Sequence, residues 1–487
     1  MARLLGGLIL VGEDGVVGQN FIWADRDTPM LLPVDMREWL PQDDMAHHVL
    51  DVVEQMDLSA FYADYHADGR GRAAFDPAVM VALLVYAHAC GVRSSRAIER
   101  ACRRDVGFRF VAGMFQPDHS TIARFFARHR KVLETLFAQV LRLCHEAGMT
   151  RFGVIAIDGT KVAANASWAK SYTDAALDHK IREEQQAYQQ LAERLLDEQA
   201  QADAAEDAQF GDGRGDELPK DLRKHEDRIA KLKAAKADLA ARDEQARAAM
   251  LAEQKAKQQE YDAAEAAGRK PKGPRPKDEV KYGPPPSRAK APRASVTDPD
   301  SRRMKAKHGF VQGYNAQVAV TDSQVICAVL VTQTPTDHHL LPQVLTATTD
   351  TLTAAGIDDE LHTVLADAGY ANEDTFTACQ DAELTLLAPI ISDEKRVRGE
   401  DLPPVDPAQL PATAAAQELL KDPDAQQLYA LRGQTVEPVF GQLKDRLGMR
   451  QLSRRGLANA RAEITFAATV HNIRKLRTWK LTPPCAN

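Results

Sequence analysis

Three carboxylates are the strongest candidates for chemistry, because each one adjoins a segment whose pattern predicts a regular element. Asp158 follows the apolar run 154–157, and Asp367 follows the similar run 361–366. Short apolar runs rich in β-branched residues are typical of buried strands, so we expect both aspartates at the exposed ends of strands. Glu437 opens a helical pattern further along the chain. Two strand-end aspartates and one helix-borne glutamate can together hold two divalent metal ions.

The chemistry that such a carboxylate set favours is in-line attack on a phosphodiester. Two metal ions about 3.5–4 Å apart activate the attacking oxygen and stabilise the leaving oxygen. Mg²⁺, or Mn²⁺ in its place, prefers hard oxygen ligands and keeps several waters, so a few converging carboxylates suffice. For each aspartate taken alone, an ordinary turn residue at the end of a strand is the simpler interpretation. The spacing of the carboxylates does not decide between turn residues and metal ligands.

The helical segment around the glutamate contains three further candidate functional residues. Tyr429, Arg432 and Lys444 lie in the same segment as Glu437. Glu437 and Lys444 are two helical turns apart, so we expect them on one face. A cation at that spacing from a metal-binding carboxylate is well placed to contact a DNA phosphate. An amphipathic helix with weak surface ion pairs accounts for the same pattern equally well.

Charge is distributed unevenly along the 487 residues, whose formal net charge is −7. Residues 174–265 contain 23 acidic and 15 basic side chains, which accounts for the whole acidic excess. Two other segments are basic, with 13 basic against 4 acidic side chains at 269–307 and 11 against 3 at 432–480. Local basic segments, rather than the overall charge, attract phosphate. The composition therefore permits a nucleic-acid partner.

The six cysteines are scattered and form no CxxC pair. This spacing argues against a zinc ribbon or a disulfide framework and favours a reducing compartment. The apolar runs at 4–11 and 79–90 are shorter than the roughly 20 residues that cross a bilayer, and the sequence shows no secretory signal. We therefore expect a cytoplasmic protein that does not associate with membranes.

Hydrophobic periodicity and composition divide the chain into parts with different structural expectations. The order strand, hairpin, helix, strand, helix, strand and helix predicts a mixed sheet with helices on both faces. Heptad spacing of apolar residues predicts an antiparallel helical hairpin inserted after the first strand, and a proline-rich basic stretch indicates a linker. The parts are an unassigned segment at 1–28, a helical domain at 29–148, a sheet domain at 149–170 and 295–480, the insertion at 171–267 and the linker at 268–294.

The helical domain contains two segments whose arrangement resembles a helix-turn-helix. One helix is expected to begin near Ser94, and a short basic helix near Asp118 follows a connection that contains glycine. We predict DNA contacts from this region, with Arg96, Arg124 and Arg128 as the candidate residues. The same arginines could instead form the solvated face of helices that pack in a core.

The sequence does not decide the roles of two further segments. The sequence Asp337-His338-His339 could hold a metal ion or transfer a proton, or it could cap the helix expected from Leu340. Trp168 follows the first aspartate closely and could stack on a displaced base, or it could pack in the core. The pattern alone favours the cap for the first segment and core packing for the second.

Short motifs carry a resemblance to a known family. They are 91–96 (GVRSSR), 117–122 (PDHSTI), 158–167 (DGTKVAANAS), 313–317 (GYNAQ), 366–370 (ADAGY) and the series Tyr429, Arg432, Glu437 and Lys444. On these motifs the chain resembles bacterial insertion-sequence transposases of the DDE group in the ribonuclease-H-like superfamily. The family signature places two, three and six residues between its Tyr, Arg, Glu and Lys, whereas the gaps here are two, four and six.

The resemblance implies an α/β fold. It implies a ribonuclease-H-like mixed sheet with flanking helices, interrupted by a helical-hairpin insertion and preceded by an all-α DNA-binding domain. The residues implied as catalytic, and as ligands of Mg²⁺ or Mn²⁺, are Asp158, Asp367 and Glu437. The residues implied as contacts to the transposon end are Tyr429, Arg432 and Lys444.

An enzyme of this kind binds the terminal inverted repeats of its element, cleaves DNA at each end and joins the freed 3′-hydroxyl to target DNA. The expected partners are transposon-end and target DNA, with a homodimer in the DNA complex, in the bacterial cytosol or nucleoid. Two alternatives share the fold, namely a nuclease that cuts without joining and an inactive DNA-binding derivative. A coiled-coil interaction protein would account only for residues 172–267.

Overall fold

The computed structural model describes residues 35–65, 74–206, 220–268, 275, 292–306, 309–390 and 405–482. The segment predicted at 1–28 and most of the linker predicted at 268–294 lie outside the described residues. Within the described ranges, no helix combines the length and the apolar character needed to cross a membrane.

The first part of the described chain folds into short helices. They are a 3-10 helix at Met36–Trp39, α1 at Met45–Glu54, α2 at Ser59–Tyr62, α3 at Pro77–Ala89, α4 at Ser95–Arg104, α5 at Val106–Val111, α6 at His119–Arg128 and α7 at Arg130–Glu146. A cap fixes the start of α3, because the Asp76 side chain accepts a hydrogen bond from the Ala78 amide and Pro77 fills the first turn. Asp118 caps α6 in the same way, as predicted.

The predicted helix-turn-helix does not form in the expected way. The helices α4 and α6 pack against each other, but the connection between them contains a third helix, α5. Asp105 starts α5 by accepting a hydrogen bond from the Phe108 amide at 3.1 Å, and the Phe108 ring is buried in the core. A standard helix-turn-helix joins its two helices by three or four residues, so the prediction was wrong about the connection.

A mixed sheet forms the second part of the fold. The strands are β1 at Val154–Ala163, β2 at Ser171–Tyr172, β3 at Ala294–Ser295, β4 at Arg302–Ala306, β5 at Gly309–Thr321, β6 at Ile326–Thr332, β7 at Thr363–Leu365 and β8 at Thr385–Leu387. β1 lies between β5, to which it is antiparallel, and β7, to which it is parallel. β8 pairs parallel with β7, and both β4 and β6 pair antiparallel with β5. This order is consistent with the predicted ribonuclease-H-like sheet.

β1 is longer than the apolar run that predicted it. Its pairing with β5 continues as far as Ala163, which lies opposite Gly313. Gly313 permits this pairing, since a Cβ at that position would lie 2.0 Å from the carbonyl oxygen of Val162. Asp158 therefore lies in the middle of the strand, and the prediction that it stands at the strand end was wrong. β4 was not predicted at all.

Helices pack against the sheet. They are α10 at Leu341–Ala355, α11 at Glu373–Asp381, α12 at Pro411–Leu419, α13 at Pro423–Thr435, α14 at Glu437–Gly441, a π-helix at Gln442–Arg446 and α15 at Leu457–Leu481. The last helix, α15, is buried along most of its length and contacts both β6 and α7. The Asn472 side-chain amide pairs with the backbone of Ile326 through hydrogen bonds of 2.8 and 2.9 Å. The helical part and the sheet therefore share one continuous core.

Two long helices follow the first strand. They are α8 at Asp174–Glu206 and α9 at Lys220–Ala266, and the short pair β2–β3 closes their base. Leu177, Leu232 and Leu239 form a small apolar cluster between the helices, separate from the main core. An ion pair joins Lys236 of α9 to Asp178 of α8. This arrangement is the antiparallel hairpin that heptad spacing predicts.

Arg93 connects the helical part to α15. Its guanidinium lies 2.7 Å from the Glu463 carboxylate, and the two side chains are only 12% and 3% exposed. We predict that Arg93→Ala lowers the free energy of unfolding by about 3–5 kcal/mol, because Glu463 would stay buried without its closest cation. Chemical denaturation measures this loss, with the exposed Arg96→Ala as the matched control. Equal stability of the two variants would contradict the prediction.

Candidate active site

β1 and β7 bring the two predicted aspartates together. The strands run parallel side by side with Ala156 opposite Leu365, and each aspartate lies two residues beyond that pair. Burial and the charge of Asp367 raise the pKa of Asp158 to about 6, against the opposing effect of Arg432. The two carboxylates therefore repel each other in a partly dehydrated place, and such a pair favours a bound cation.

Arg432 on α13 lies between Asp158 and the predicted glutamate. Its Nη1 is 3.3 Å from Oδ2 of Asp158, and its Nη2 is 3.9 Å from Oε1 of Glu437. Burial alone would lower the pKa of Arg432, but the charge of Asp158 and the adjacent Tyr429 raise it overall. Four predicted site residues therefore meet here, with the arginine between the carboxylates.

The approach of Arg432 to Glu437 depends on a break in the helix between them. In a continuous α-helix, residues five apart point about 140° away from each other. The helix is interrupted between α13 and α14, where Pro438 has no amide hydrogen to continue the ladder. In a continuous helix, the carbonyl of Gln434 would accept a hydrogen bond from the amide of residue 438. Here it accepts one from Nε2 of Gln324 at 2.9 Å instead.

Lys444 reaches the sheet from the π-helix rather than from a continuous α-helix. Its ammonium group donates a hydrogen bond to Oγ1 of Thr160, which lies on the same face of β1 as Asp158. Burial and the charge of Arg450 lower the pKa of Lys444. Single π-helical turns are frequent at functional sites, and this one directs a cation to the strand that carries the first aspartate.

A second polar cluster lies on the opposite face of β1 from Asp158. The Asp337 carboxylate accepts hydrogen bonds from Asn315 and Gln317, both at 2.7 Å, and from Lys161 at 3.0 Å. The predicted helix cap was wrong, because these donors engage Asp337 and α10 begins without a side-chain cap. Sequence reasoning missed this cluster. The available signal was a pair of amides at alternate positions of the GYNAQ motif, which places both on one face of β5.

Tyr370 connects this cluster to the aspartate pair. Its buried hydroxyl donates a hydrogen bond to Oε1 of Gln317, and the amide of the preceding Gly369 donates to Oδ1 of Asp367 at 2.8 Å. Burial and the charges of nearby carboxylates, Asp337 first among them, raise the pKa of Tyr370, so its hydroxyl stays protonated. The ADAGY and GYNAQ motifs are therefore parts of one hydrogen-bonded unit.

Gly159 leaves the space in which this unit forms. A Cβ at this position would lie 2.1 Å from Nε2 of Gln317 and 3.0 Å from Oδ1 of Asp337. We predict that Gly159→Ala displaces both side chains and lowers the free energy of unfolding by about 1–3 kcal/mol. Thermal unfolding measures the loss. The matched control is Gly433→Ala, where a Cβ would meet nothing within 4 Å, and a Gly159 variant as stable as this control would argue against the prediction.

Two family models match the chain. Residues 34–128 match the family described as Transposase domain (DUF772), and residues 283–473 match the family described as Transposase DDE domain. The second match includes Asp367, Arg432 and Glu437. No curated protein and no solved structure matches the chain. The chain belongs to the insertion-sequence DDE transposases. It is a DNA transposase, and its family implies a metal-dependent nuclease or transferase.

Two carboxylates of the transposase fit a divalent ion. Asp158 and Asp367 offer hard oxygen donors, and burial together with the charge of Asp367 raises the pKa of Asp158, which a bound cation would oppose. In the part of the chain that the structure describes, no group of three or more His, Cys, Asp or Glu side chains is arranged to hold a metal ion. The Glu437 side chain is 64% exposed, so it can change rotamer towards the aspartates without disturbing the core.

The three arginines predicted to contact DNA lie on helices of the transposase. Arg96 on α4, and Arg124 and Arg128 on α6, are all exposed. The Arg128 guanidinium lies 4.7 Å from the ring centre of Tyr65, and its Nε is 3.5 Å from the Asp64 carboxylate. A DNA contact by each of the three stays a prediction, and Arg128 would have to exchange these internal contacts for it.

Proposed function

We propose that the transposase binds the terminal inverted repeats of its element, cleaves DNA at each end and joins the freed 3′-hydroxyl to target DNA. The observation that carries the proposal is the parallel pairing of β1 and β7, which brings Asp158 and Asp367 side by side. The Arg432 guanidinium lies 3.3 Å from Asp158 and 3.9 Å from Glu437 and so connects the glutamate to this pair. Carboxylates delivered to one place by two strands and a helix are suited to phosphoryl transfer on DNA.

Each residue of the site has a proposed role. Asp158, Asp367 and Glu437 are the catalytic residues and would hold Mg²⁺ or Mn²⁺. A bound divalent ion supplies a Lewis acid for the phosphate and lowers the pKa of the attacking water or hydroxyl. Arg432 holds the Asp158 carboxylate in place and offers positive charge to the transferred phosphate. Lys444, anchored beside the same strand, is placed to contact a neighbouring phosphate.

Two surfaces of the transposase would contact DNA. The residues proposed at the transposon end are Tyr429, Arg432 and Lys444. The helical region at 29–148 would bind the inverted repeat, and the residues proposed there are Arg96, Arg124 and Arg128. Two copies of the chain, one for each end, would form the complex with DNA in the bacterial cytoplasm. The exposure of the helical arginines and the basic character of residues 432–480 support these assignments.

An in vitro assay with two DNA substrates tests the proposed function. An uncut transposon end with flanking DNA reports cleavage, and a pre-cut end with a free 3′-hydroxyl reports joining to a plasmid in the presence of Mg²⁺. We expect products from both substrates. Cleavage without joined products would identify a nuclease of the same fold, and end binding without either product would identify an inactive derivative.

A further inference from the structure

An exposed aromatic cluster lies on the sheet domain, away from the carboxylates. The side chains of Trp168 and Phe310 are 49% and 56% exposed. The guanidinium carbon of Arg303 lies over both rings, 5.1 Å from the centre of Trp168 and 4.3 Å from that of Phe310. The interpretation of Trp168 as a core residue was therefore wrong. Exposed aromatic groups of this size that gather in one place mark a binding surface.

The cluster is held in position by the backbone around it. Arg303 on β4 and Phe310 on β5 lie on one face of their antiparallel pair. Trp168 begins the 3-10 helix Trp168–Lys170, which is tied down where the amide of Ser167 donates to Oγ1 of Thr297 at 3.0 Å. Side chains presented on fixed backbone lose little conformational freedom when a ligand binds.

The surroundings of the cluster are basic. Lys170 is exposed in the same 3-10 helix as Trp168, and Lys305 is exposed on β4 directly opposite Phe310. Arg302 pairs with Asp238 at 3.6 Å, whereas the adjacent Arg303 has no carboxylate within ion-pair distance among the described residues. An arginine that lies against two exposed aromatic rings fits a polyanion with flat apolar groups. A nucleic-acid strand has this combination.

We propose that Trp168, Arg303 and Phe310 form a binding site for unpaired bases of a DNA strand. The exposed rings would stack on the bases, and the guanidinium would contact the phosphate backbone. The proposal rests on the proposed function only in taking DNA as the substrate. The proposal goes beyond that function because it assigns a strand-binding site outside both the catalytic residues and the helical region.

The position of the cluster relative to the carboxylates sets where the strand would bind. Phe310 precedes Val318, the strand partner of Asp158, by eight residues on β5. At roughly 3.3 Å per residue, this places the cluster about 26 Å along the sheet from Asp158. Stacking requires that the bases bound there are not paired, because only an unpaired base exposes its face.

Equilibrium binding to the full chain tests the proposal without any cleavage step. The probes are a fluorescein-labelled 15-nucleotide oligothymidylate and a duplex of equal length, measured by fluorescence anisotropy in EDTA. We expect Trp168→Ala and Phe310→Ala each to weaken binding of the single strand roughly tenfold, with little change for the duplex. Trp168→Phe keeps an aromatic ring and is expected to retain most of the affinity.

The control variant is Leu251→Ala, which alters an equally exposed apolar residue on α9 and is expected to bind like the unaltered chain. Unchanged single-strand binding by Trp168→Ala would overturn the proposal. Equal losses for single strand and duplex would also overturn it, because they indicate a general effect of charge or folding. A change in oligomeric state, measured by light scattering, would assign the surface to a second copy of the chain. This experiment measures only binding, so a result that overturns the strand-binding site does not affect the proposed cleavage and joining. Equally, a failure to detect cleavage or joining would not affect the strand-binding site.

Discussion

Asp158→Asn and Asp367→Asn are each expected to reduce cleavage of a transposon end by roughly a thousandfold, while the affinity for that end stays nearly unchanged. Asparagine keeps the volume of the side chain but removes the charge that would hold a divalent ion. The fold is expected to tolerate both changes, because each one relieves the repulsion that raises the pKa of Asp158. Cleavage of an end-labelled DNA and a gel-shift titration measure the two quantities separately.

Asp350→Asn is the control for both aspartate variants, since Asp350 is exposed on α10. It is expected to cleave and bind like the unaltered transposase. An aspartate variant that cleaves within about tenfold of normal, a difference of about 1.4 kcal/mol in the barrier, would remove that residue from the catalytic set.

Arg432→Lys is expected to lower the rate of cleavage about a hundredfold, although the positive charge is kept. The guanidinium reaches Asp158 and Glu437 with two different nitrogens, at 3.3 and 3.9 Å, and a lysine ammonium group cannot bridge the two carboxylates in the same way. Because Arg432 is buried against Asp158, we expect the effect on the cleavage rate to exceed the effect on affinity for the transposon end. Single-turnover cleavage at saturating DNA, combined with a binding titration, separates the two.

Arg461→Lys, an exposed arginine on α15, serves as the matched control and is expected to change neither quantity. A loss of affinity in Arg432→Lys that accounts for the whole loss of activity would assign Arg432 to DNA contact alone. Thermal unfolding of both variants shows whether the buried substitution has disturbed the fold.

The sequence was informative where local pattern determines structure. The apolar runs before Asp158 and Asp367 predicted two strands, and the β-rich runs on either side of residues 321–324 predicted the hairpin of β5 and β6. The start of a helix near Asp118 was predicted from residue type and spacing. Each of these features depends on interactions between residues close together in the chain.

The parts that could not be predicted depend on contacts between distant residues. The engagement of Asp337 requires Lys161, which is 176 positions away, and local pattern made a helix cap the simpler interpretation. The helix break that brings Arg432 to Glu437 is stabilised by Gln324, 110 positions from its partner carbonyl. The length of β1 is fixed by β5, because pairing extends the strand beyond its apolar residues. Tertiary partners, rather than propensity, decided each case.

Binding of Mn²⁺, followed by electron paramagnetic resonance with a transposon-end DNA present, tests the central claim that Asp158, Asp367 and Glu437 form one metal site. We predict that the unaltered transposase binds Mn²⁺ and that Asp158→Asn, Asp367→Asn and Glu437→Gln each weaken this binding, while Asp350→Asn does not. Binding of Mn²⁺ by all three site variants with the affinity of the unaltered transposase would contradict the claim.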